Sequence, residues 1–308
     1  GSAEGNVYRN CSIDRRPLEA DLFRRAMPRL RSGNHDAFNS RCSFRGPTLE
    51  GCTFRYHCDD CVNISGFYAF VTKREGRKLR LVAYGGGQGR LSVGDSCQLM
   101  TDDGRSLPDA TAIAIRNAGP VSDEDRRLFP SFKLWEGLTQ SISSAFEIEL
   151  DEERELPPGS AVISNRRMGN GFRILNCTMG HNRARGLLIK ASDGVMENNL
   201  LEGVEGWAVQ ISQEYEWMEG GCSRNLSVRG NTIRRNGAGV YVGGNNCRRK
   251  QLPADAHLNI AIAGNVFEGN SRGVAVVGCT GLDLRGNAFR NFSGEPYELV
   301  NVADVKRD

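Results

Sequence analysis

The chain has 308 residues, and its 40 lysine and arginine residues against 37 aspartate and glutamate residues give a formal net charge of +3. This charge is too small to indicate a nucleic-acid partner, and no apolar run approaches the roughly 18 residues of a membrane span. The 37 glycines and the low aromatic content of 7%, together with many short apolar runs, predict a protein of strands and turns.

A short repeat runs along the chain, with the pattern apolar-x-apolar-x-(Gly/Asn)-(Asn/Cys)-x-apolar. It occurs in seven segments: 7–13, 49–54, 174–179, 195–201, 226–233, 260–267 and 282–289. From Cys177 onward the Asn or Cys positions are separated by 22, 32, 34 and 22 residues. About 22 residues form one plain coil, and the longer spacings are coils that carry loops. The repeat predicts an all-β fold, a right-handed parallel β-helix whose coils bury their interior by stacking.

The asparagine or cysteine of each repeat follows a tight corner, where it can point inward and stack on its neighbours. We therefore expect Asn199, Asn231, Asn265 and Asn287 to form a ladder that satisfies backbone groups at the bends. Cys11, Cys52 and Cys177 hold equivalent positions, and we expect them to be buried free thiols that pack as small hydrophobes.

Residues 66–165 break the repeat. Their apolar runs predict antiparallel strands at 68–72, 79–83, 91–93, 96–100, 111–116 and 145–150, which together suit a small inserted β-barrel. The predicted organisation is thus β-helix coils in residues 1–65, an inserted β-barrel in 66–165, and further coils in 166–308.

Two patches near the start of the chain contain three aspartates. Asp36 lies in the sequence Asn-His-Asp-Ala-Phe (34–38), and Asp59 and Asp60 lie in Cys-Asp-Asp-Cys-Val-Asn-Ile (58–64). A distance of 23 residues is about one coil, so the three carboxylates would converge on one outer face with a spacing of about 4.8 Å. Like charges this close cannot all ionise, which suits acid/base cleavage of a glycosidic bond. The alternative is that Asp59 and Asp60 cap a turn.

Cys58-x-x-Cys61 is the only pair with metal-ligand spacing, and the chain has neither a second such pair nor histidines at the spacing of a zinc site. We therefore expect no metal and no cofactor.

The order of motifs along the chain resembles glycoside hydrolase family 110, the α-1,3-galactosidases. The matching segments are Asn-Cys (10–11), Asn-His-Asp-Ala-Phe (34–38), Arg-Gly-Pro-Thr-Leu-Glu-Gly-Cys (45–52), Asp-Asp-Cys-Val-Asn-Ile (59–64), Arg-Ala-Arg-Gly-Leu-Leu-Ile (183–189) and Trp-Met-Glu-Gly (217–220). The resemblance implies a β-helix interrupted by small β-barrels and an exo-acting enzyme that removes terminal galactose from glycans or polysaccharides. It also implies an inverting mechanism without a metal, with Asp36, Asp59 and Asp60 as the catalytic carboxylates, and a secreted, periplasmic or cell-surface location.

Six further residues are candidate contacts for a carbohydrate: Asn34, Asn63, Arg185, Lys190, Trp217 and Glu219. An aromatic face such as Trp217 stacks on the apolar face of a sugar, although packing within its loop is the alternative. Arg185 and Lys190 are suited to sugar hydroxyls or to an anionic group, and Glu219 to a hydroxyl.

The chain departs from the family's pattern at three positions and at one end. Ala37 and Asn39 stand where glycine and histidine are common, and Ser65 stands where another histidine is common. The family's N-terminal coils are also expected to be absent.

Three other interpretations stay open. The order Asn34-x-Asp36, Asp59-Asp60, Gly-His-Asn (180–182) and Leu-Ile-Lys (188–190) loosely echoes the polygalacturonases. Clustered aspartates with an Arg or Lys base also occur in Ca²⁺-dependent polysaccharide lyases. A non-catalytic glycan-binding β-helix is the third interpretation, and association of several copies of the chain is left open.

Overall fold

The structure is a computed structural model that describes residues 4–17, 29–86, 91–245 and 252–308. The strands before the insertion are β1 (Val7–Arg9), β2 (Ser12–Ile13), β3 (Phe38–Arg41), β4 (Thr48–Glu50), β5 (Thr53–Arg55) and β6 (Val62–Ser65). The insertion contains β7 (Ala69–Glu75), β8 (Lys78–Val82), β9 (Ser96–Met100), β10 (Ser106–Pro120), α1 (Asp123–Phe132), α2 (Glu136–Ser141), β11 (Ser144–Leu150) and β12 (Ala161–Ser164).

The coils continue after the insertion with fourteen described strands. They are β13 (Arg173–Leu175), β14 (Thr178–Gly180), β15 (Leu187–Ile189), β16 (Val195–Glu197), β17 (Leu200–Glu202), β18 (Trp207–Glu214), β19 (Arg224–Arg229), β20 (Thr232–Arg234), β21 (Ala238–Asn245), β22 (His257–Ala263), β23 (Val266–Glu268), β24 (Val274–Asp283), β25 (Ala288–Arg290) and β26 (Tyr297–Lys306). The described residues also form single-turn 3₁₀ helices at Tyr84–Gly86, Asn165–Arg167 and Tyr215–Trp217.

Three parallel faces wind around one interior. The first face stacks β1, β4, β13, β16, β19 and β22, the second stacks β2, β5, β14, β17, β20, β23 and β25, and the third stacks β3, β6, β15, β18, β21 and β24. The long strand β24 pairs first with β21 and then with β22, so it joins the third face to the first. The all-β prediction of a parallel β-helix is confirmed.

The predicted asparagine ladder lies at the corner between the first two faces. The Oδ1 atom of Asn231 accepts from the backbone N–H of Asn199 at 2.9 Å, and its Nδ2 donates to the carbonyl of Met196 at 2.9 Å. Asn265 and Asn287 repeat the arrangement, each accepting from the asparagine one coil before it. Because these corners are buried, each side chain replaces the water that the backbone groups would otherwise bind.

A second asparagine ladder, which we did not predict, stacks on the far side of the second face. Asn236 accepts from the N–H of Val204 at 2.8 Å and donates to the carbonyl of Leu201, and Asn270 repeats these roles one coil later. Asn236 and Asn270 come after the last residue of the repeat pattern in their coils, so that pattern does not predict the second ladder.

The cysteines of the repeat are only partly as predicted. Cys52 and Cys177 are buried free thiols that extend the first ladder. The prediction for Cys11 is wrong, since this thiol is exposed. It adjoins β2, the outermost strand of its face, and no described coil covers it. Cys247 and the stretch that follows it to residue 250 lie outside the described residues.

The insertion forms a closed six-stranded barrel in the order β10-β11-β8-β7-β12-β9, and its paired strands run antiparallel. These strands lie between Ala69 and Ser164. The predicted strand at 91–93 is wrong, because the Asp95 side chain accepts from the N–H of Ser92 and closes a turn there. The strand β12 and the helices α1 and α2 were not predicted. Neither described helix has the length or the apolarity to cross a membrane.

The barrel rests directly on the coils beside the third face. Gln98 on β9 donates to the carbonyl of Cys222 at 2.9 Å, and the hydroxyl of Tyr215 donates to the carbonyl of Thr101 at 3.0 Å. Tyr215 and Cys222 flank the loop that leaves the end of β18. The barrel therefore holds this loop against the outer surface of the third face.

Candidate active site

Asp36, Asp60 and Arg185 occupy the same position in three successive coils. Phe38 pairs with Val62, and Val62 pairs with Leu187. Asp36, Asp60 and Arg185 each lie two residues before one of these paired residues. Two backbone hydrogen bonds fix this alignment. The N–H of Ala37 donates to the carbonyl of Asp60 at 3.0 Å, and the N–H of Cys61 donates to the carbonyl of Arg185 at 3.1 Å. The in-register partner of Asp36 is thus Asp60, with Asp59 beside it.

The three aspartates form a compact cluster, as predicted from coil stacking. One oxygen from each of Asp36, Asp59 and Asp60 lies within 4.8 Å of the other two. Asn39 donates to Oδ2 of Asp36 at 2.5 Å, and the N–H of Asp60 donates to Oδ1 of Asp36 at 3.3 Å. Asp36 is therefore held from both sides, with both of its oxygens used as acceptors.

Asp60 lies deepest and is 1% exposed. The Arg185 backbone N–H donates to its Oδ1 at 3.0 Å, and the Arg185 Nη2 donates to its Oδ2 at 2.9 Å. The Nε atom of Arg185 adds an ion-pair contact at 2.8 Å to Oδ1. This pairing spans neighbouring coils, so it depends on the register described above.

Burial and mutual repulsion favour the protonated forms of two of these carboxyl groups. The pKa of Asp60 is raised to about 7: burial raises it most, the charge and hydrogen bonds of Arg185 lower it, and the charge of Asp36 raises it. Burial also raises the pKa of Asp36, aided by the charge of Asp59 and opposed by the hydrogen bond from Asn39. The cluster therefore retains a proton near neutral pH, as a general acid requires.

A second set of charges lies next to the aspartates, around the end of β18. Lys190 is fully buried, and its Nζ lies 2.9 Å from Glu214 and 2.6 Å from Glu219. Arg41 reaches Glu219 at 2.9 Å, and Arg185 approaches Glu214 at 3.6 Å. Glu214 and Glu219 also form an antiparallel bridge at the two ends of the loop that carries Trp217. One buried lysine thus fixes both ends of that loop.

These groups surround a pocket of about 580 Å³. It is lined by five carboxylates, two guanidinium groups, two amides, one imidazole and one indole. The lining residues are His35, Asp36, Asn39, Arg41, Asp59, Asp60, Asn63, Arg185, Glu214, Trp217 and Glu219.

The structure brings most of the predicted site residues together. All three aspartates line the pocket, as do Asn63, Arg185, Trp217 and Glu219. Asn34, which is exposed and precedes β3, does not line it.

The prediction that Lys190 contacts a substrate is wrong. Its side chain has no exposed surface and is not part of the pocket lining, whereas both carboxylates that it pairs with line the pocket. Lys190 positions Glu214 and Glu219, and these two carboxylates face the pocket.

Four pocket residues were not predicted as site residues: His35, Asn39, Arg41 and Glu214. Asn39 and Arg41 lie two residues apart on β3. The strand period of two therefore places these two side chains on the same face of the strand. Glu214 ends β18 and pairs with Lys190 only through the fold, so no local pattern marks it.

Two histidines near the aspartates, His57 and His181, lie outside the pocket lining. His57 is buried with a lowered pKa caused by burial, and its Nδ1–H donates to the carbonyl of Asp59 at 3.0 Å. His181 stacks on Tyr56 with ring centroids 4.9 Å apart. His57 therefore supports the backbone of the aspartate pair from below, and His181 has a packing role.

Comparison with known proteins agrees with the β-helix fold. The family profile described as "Right handed beta helix region" matches residues 159–289. Across 98% of its length, the chain is 25% identical to alpha-1,3-galactosidase A of Peterkaempfera griseoplana. The chain is a right-handed β-helix protein that resembles the α-1,3-galactosidases. It spans about two-fifths of the length of this curated relative, since the match covers 41% of that protein.

Two of the departures from the resembled family are Asn39, which lines this pocket, and Ser65, which lies behind it. Asn39 takes the position of a common histidine and holds Asp36 through its amide N–H. Ser65 is fully buried at the end of β6, in register with Arg41 on β3. An amide donates to Asp36 at any pH, whereas a histidine would do so in a manner that depends on its protonation.

Proposed function

We propose that this protein is an exo-acting glycoside hydrolase that removes terminal α-1,3-linked galactose with inversion of the anomeric configuration. The observation that carries the proposal is the compact cluster of Asp36, Asp59 and Asp60 in a pocket, with one member holding a proton near neutral pH. The likeness to alpha-1,3-galactosidase A supports the choice of galactose and of the linkage. Export to the periplasm, the cell surface or the medium remains part of this proposal and follows from the resemblance.

In the proposed reaction, Asp60 is the general acid. Its proton moves to the glycosidic oxygen as the bond from that oxygen to C1 breaks. A water attacks C1 from the opposite face, and Asp36 or Asp59 accepts the proton that this water loses. The products are free galactose and the shortened sugar, and the cluster has exchanged one proton for another.

The spacing of the aspartates suits a bound water. A water that hydrogen-bonds two carboxylate oxygens at about 2.8 Å each, with a near-tetrahedral angle, holds them about 4.5 Å apart. The nearest oxygens of the cluster lie within 4.8 Å of one another. Inverting enzymes separate the two carboxyl groups by about 6.5–9.5 Å and retaining enzymes by about 5–5.5 Å. The short spacing between the oxygens of this cluster is nearer the retaining value, so the anomer of the first product decides between inversion and retention.

The charge of the pocket favours a neutral sugar over a uronic acid. Five carboxylates but only two guanidinium groups line it, and Arg185 and Arg41 are both already paired with carboxylates. Lys190 and His181, which echo the polygalacturonase pattern, do not line it. A galacturonate carboxylate would therefore meet repulsion.

The paired cations also weigh against a polysaccharide lyase. Such an enzyme needs a free Arg or Lys as base, and both candidates, Arg185 and Lys190, hold ion pairs. The aspartate cluster has the spacing to hold a cation, but a calcium ion prefers six to eight oxygen ligands, and Arg185 already neutralises Asp60. We expect EDTA to leave turnover unchanged; loss of activity restored by Ca²⁺, or a product with ultraviolet absorbance, would favour the lyase.

The direct test is digestion of galactosyl disaccharides followed by proton NMR. We expect hydrolysis of the α-1,3 linkage, slower or no hydrolysis of α-1,4 and α-1,6 linkages, and β-galactose as the first anomer to appear. Initial release of α-galactose would contradict inversion, and equal cleavage of all linkages would contradict the specificity. Binding of the disaccharide without turnover would instead identify a glycan-binding β-helix.

A further inference from the structure

A pair of tryptophans lies at the rim of the pocket, one from the coils and one from the inserted barrel. Trp217 lines the pocket, and Trp135 immediately precedes helix α2 of the insertion. Their ring centroids are 5.0 Å apart with an angle of 31° between the ring planes. The pair thus continues the pocket wall outward onto the barrel.

Both rings remain open to solvent in spite of this contact. Trp135 is 54% exposed and Trp217 is 39% exposed. Tryptophan is highly buried on average in folded proteins, and exposed apolar groups that adjoin a pocket commonly serve in binding. Two adjacent, partly exposed indoles beside a pocket are therefore suited to bind a ligand.

The backbone holds this pair in place. The N–H of Trp135 donates to the carbonyl of Glu216 at 3.1 Å, which joins the insertion to the loop of Trp217. Lys190 clamps the two ends of that same loop through Glu214 and Glu219. Immobilised aromatic rings bind at a low cost in side-chain entropy.

Gly137 makes room for the ring of Trp135. A Cβ at position 137 would collide with the six-membered part of that indole, and no backbone atom is among its nearest contacts. Gly137 lies in helix α2, where glycine is otherwise unfavourable. Its presence is consistent with a position that seats the indole beside Trp217.

We propose that Trp135 and Trp217 form a subsite for the sugar on the leaving-group side of the scissile bond. The occupant is a neutral pyranose, because an indole face stacks on the apolar C–H face of a sugar ring. The terminal galactose fills the acidic pocket, and the next sugar lies over the tryptophan pair. This inference rests on the proposed function and extends it, since it gives the inserted barrel a part in recognising the substrate.

The kinetic test compares two substrates that differ only beyond the scissile bond. A disaccharide of α-1,3-linked galactose has a leaving sugar, whereas α-galactosyl fluoride has none. We expect Trp135→Ala to lower the ratio of kcat/KM for the disaccharide to that for the fluoride about five- to tenfold. Gly137→Ala, which keeps the indole but displaces it, lowers the same ratio, and Trp135→Phe restores part of it.

A matched control removes an aromatic ring from another stacked pair. Phe292 stacks on Phe289 with centroids 5.6 Å apart, at the opposite end of the described coils. We expect Phe292→Ala to leave the ratio unchanged. An unchanged ratio in Trp135→Ala, with hydrolysis of both substrates intact, would overturn the subsite and leave the proposed function standing.

A binding measurement separates the subsite from catalysis. Calorimetric titration of Asp60→Asn, which lacks the proposed general acid and leaves the disaccharide intact, should show tighter binding of the α-1,3-galactosyl disaccharide than of galactose. Adding Trp135→Ala to this variant should remove most of that difference. If the unmodified protein hydrolyses nothing but shows the same binding pattern, the subsite stands and the hydrolase proposal fails. Equal affinity of Asp60→Asn for the two sugars, or binding of neither, would overturn the subsite.

Discussion

Arg185 and Asp60 face each other across adjacent coils, with the guanidinium Nη2 2.9 Å from one carboxylate oxygen and the backbone N–H 3.0 Å from the other. This pair lies beside Asp36, which takes the same position one coil earlier. The Arg185 cation favours the ionised form of Asp60, whereas the burial of Asp60 opposes its ionisation. Opposing effects of this kind leave the pKa of Asp60 near 7, where a general acid is most useful.

Replacing each aspartate by asparagine should separate the roles within the cluster. We expect Asp36→Asn, Asp59→Asn and Asp60→Asn to fold, and loss of proton transfer typically lowers kcat about 10²–10⁴-fold at an essential position. Asp60→Asn should recover activity on α-galactosyl fluoride, because fluoride leaves without protonation, whereas loss of the base should not be rescued. Near-normal turnover of an α-1,3-galactoside by all three variants would refute the site, and rescue of Asp36→Asn instead would reverse the assigned roles.

The rate should fall as the pH rises through about 7. Acid catalysis needs protonated Asp60, and the fraction protonated declines above its pKa of about 7. Removing the Arg185 cation in Arg185→Met removes an interaction that lowers this pKa, so the alkaline limb of the kcat profile should shift to higher pH. Arg183→Met is the control, since Arg183 is exposed and donates to the carbonyl of Cys58. A shift to lower pH in Arg185→Met would contradict the assignment.

The same titration should appear in the stability of the protein. The unfolded chain releases this proton near its ordinary pKa of 3.8, whereas folded Asp60 retains it to about 7. The stabilisation is therefore complete below about pH 4 and is lost as the pH rises through about 7. We expect the melting temperature to decline over this interval less steeply in Asp60→Asn than in the unmodified protein, and equal slopes would show that Asp60 titrates normally.

Lys190 should matter for folding more than a surface lysine in an equally short ion pair. Lys190→Met leaves Glu214 and Glu219 buried with the charge of their shared cation removed, and breaking a buried pair costs about 3–5 kcal/mol. The control is Lys73→Met, since Lys73 lies 2.8 Å from Glu75 on an exposed hairpin and should leave the midpoint of urea unfolding unchanged. Similar midpoints for both variants would show that the buried network contributes nothing.

The asparagine ladder should contribute to the stability of the coils. Asn231→Ala removes the acceptor used by Asn199 and the donor that satisfies the carbonyl of Met196, all in a buried corner. Each buried group left without a partner costs about 1–3 kcal/mol, so a large drop in the urea midpoint is expected. Asn117→Ala, which removes one exposed hydrogen bond to the N–H of Gly119, should cause little change; equal effects would contradict a structural role for the ladder.

The coil architecture and the convergence of the aspartates follow from the repeat in the sequence. The corner asparagines recur at one coil or one coil plus a loop, and an asparagine at a buried bend has few other ways to satisfy its amide. Asp36 and the Asp59-Asp60 pair lie about one coil apart, so stacking alone brings them together. The barrel was predicted as an interruption of the repeat, but its helices α1 and α2 were missed. They are short, and their residues carry no long apolar period.

The contacts between side chains of different coils, and between the coils and the barrel, could be read only from the folded structure. The observed register places Asp36 opposite Asp60, a separation of 24 residues, and adds Arg185 to the same column. Lys190 lies beneath Glu214 and Glu219 because β15, β18 and the loop of Trp217 pack together, which no local pattern encodes. Trp135 reaches Trp217 only because the barrel folds back onto the coils. Contacts of this kind depend on the path of the whole chain, whereas the repeat depends on the local alternation and bending of single strands.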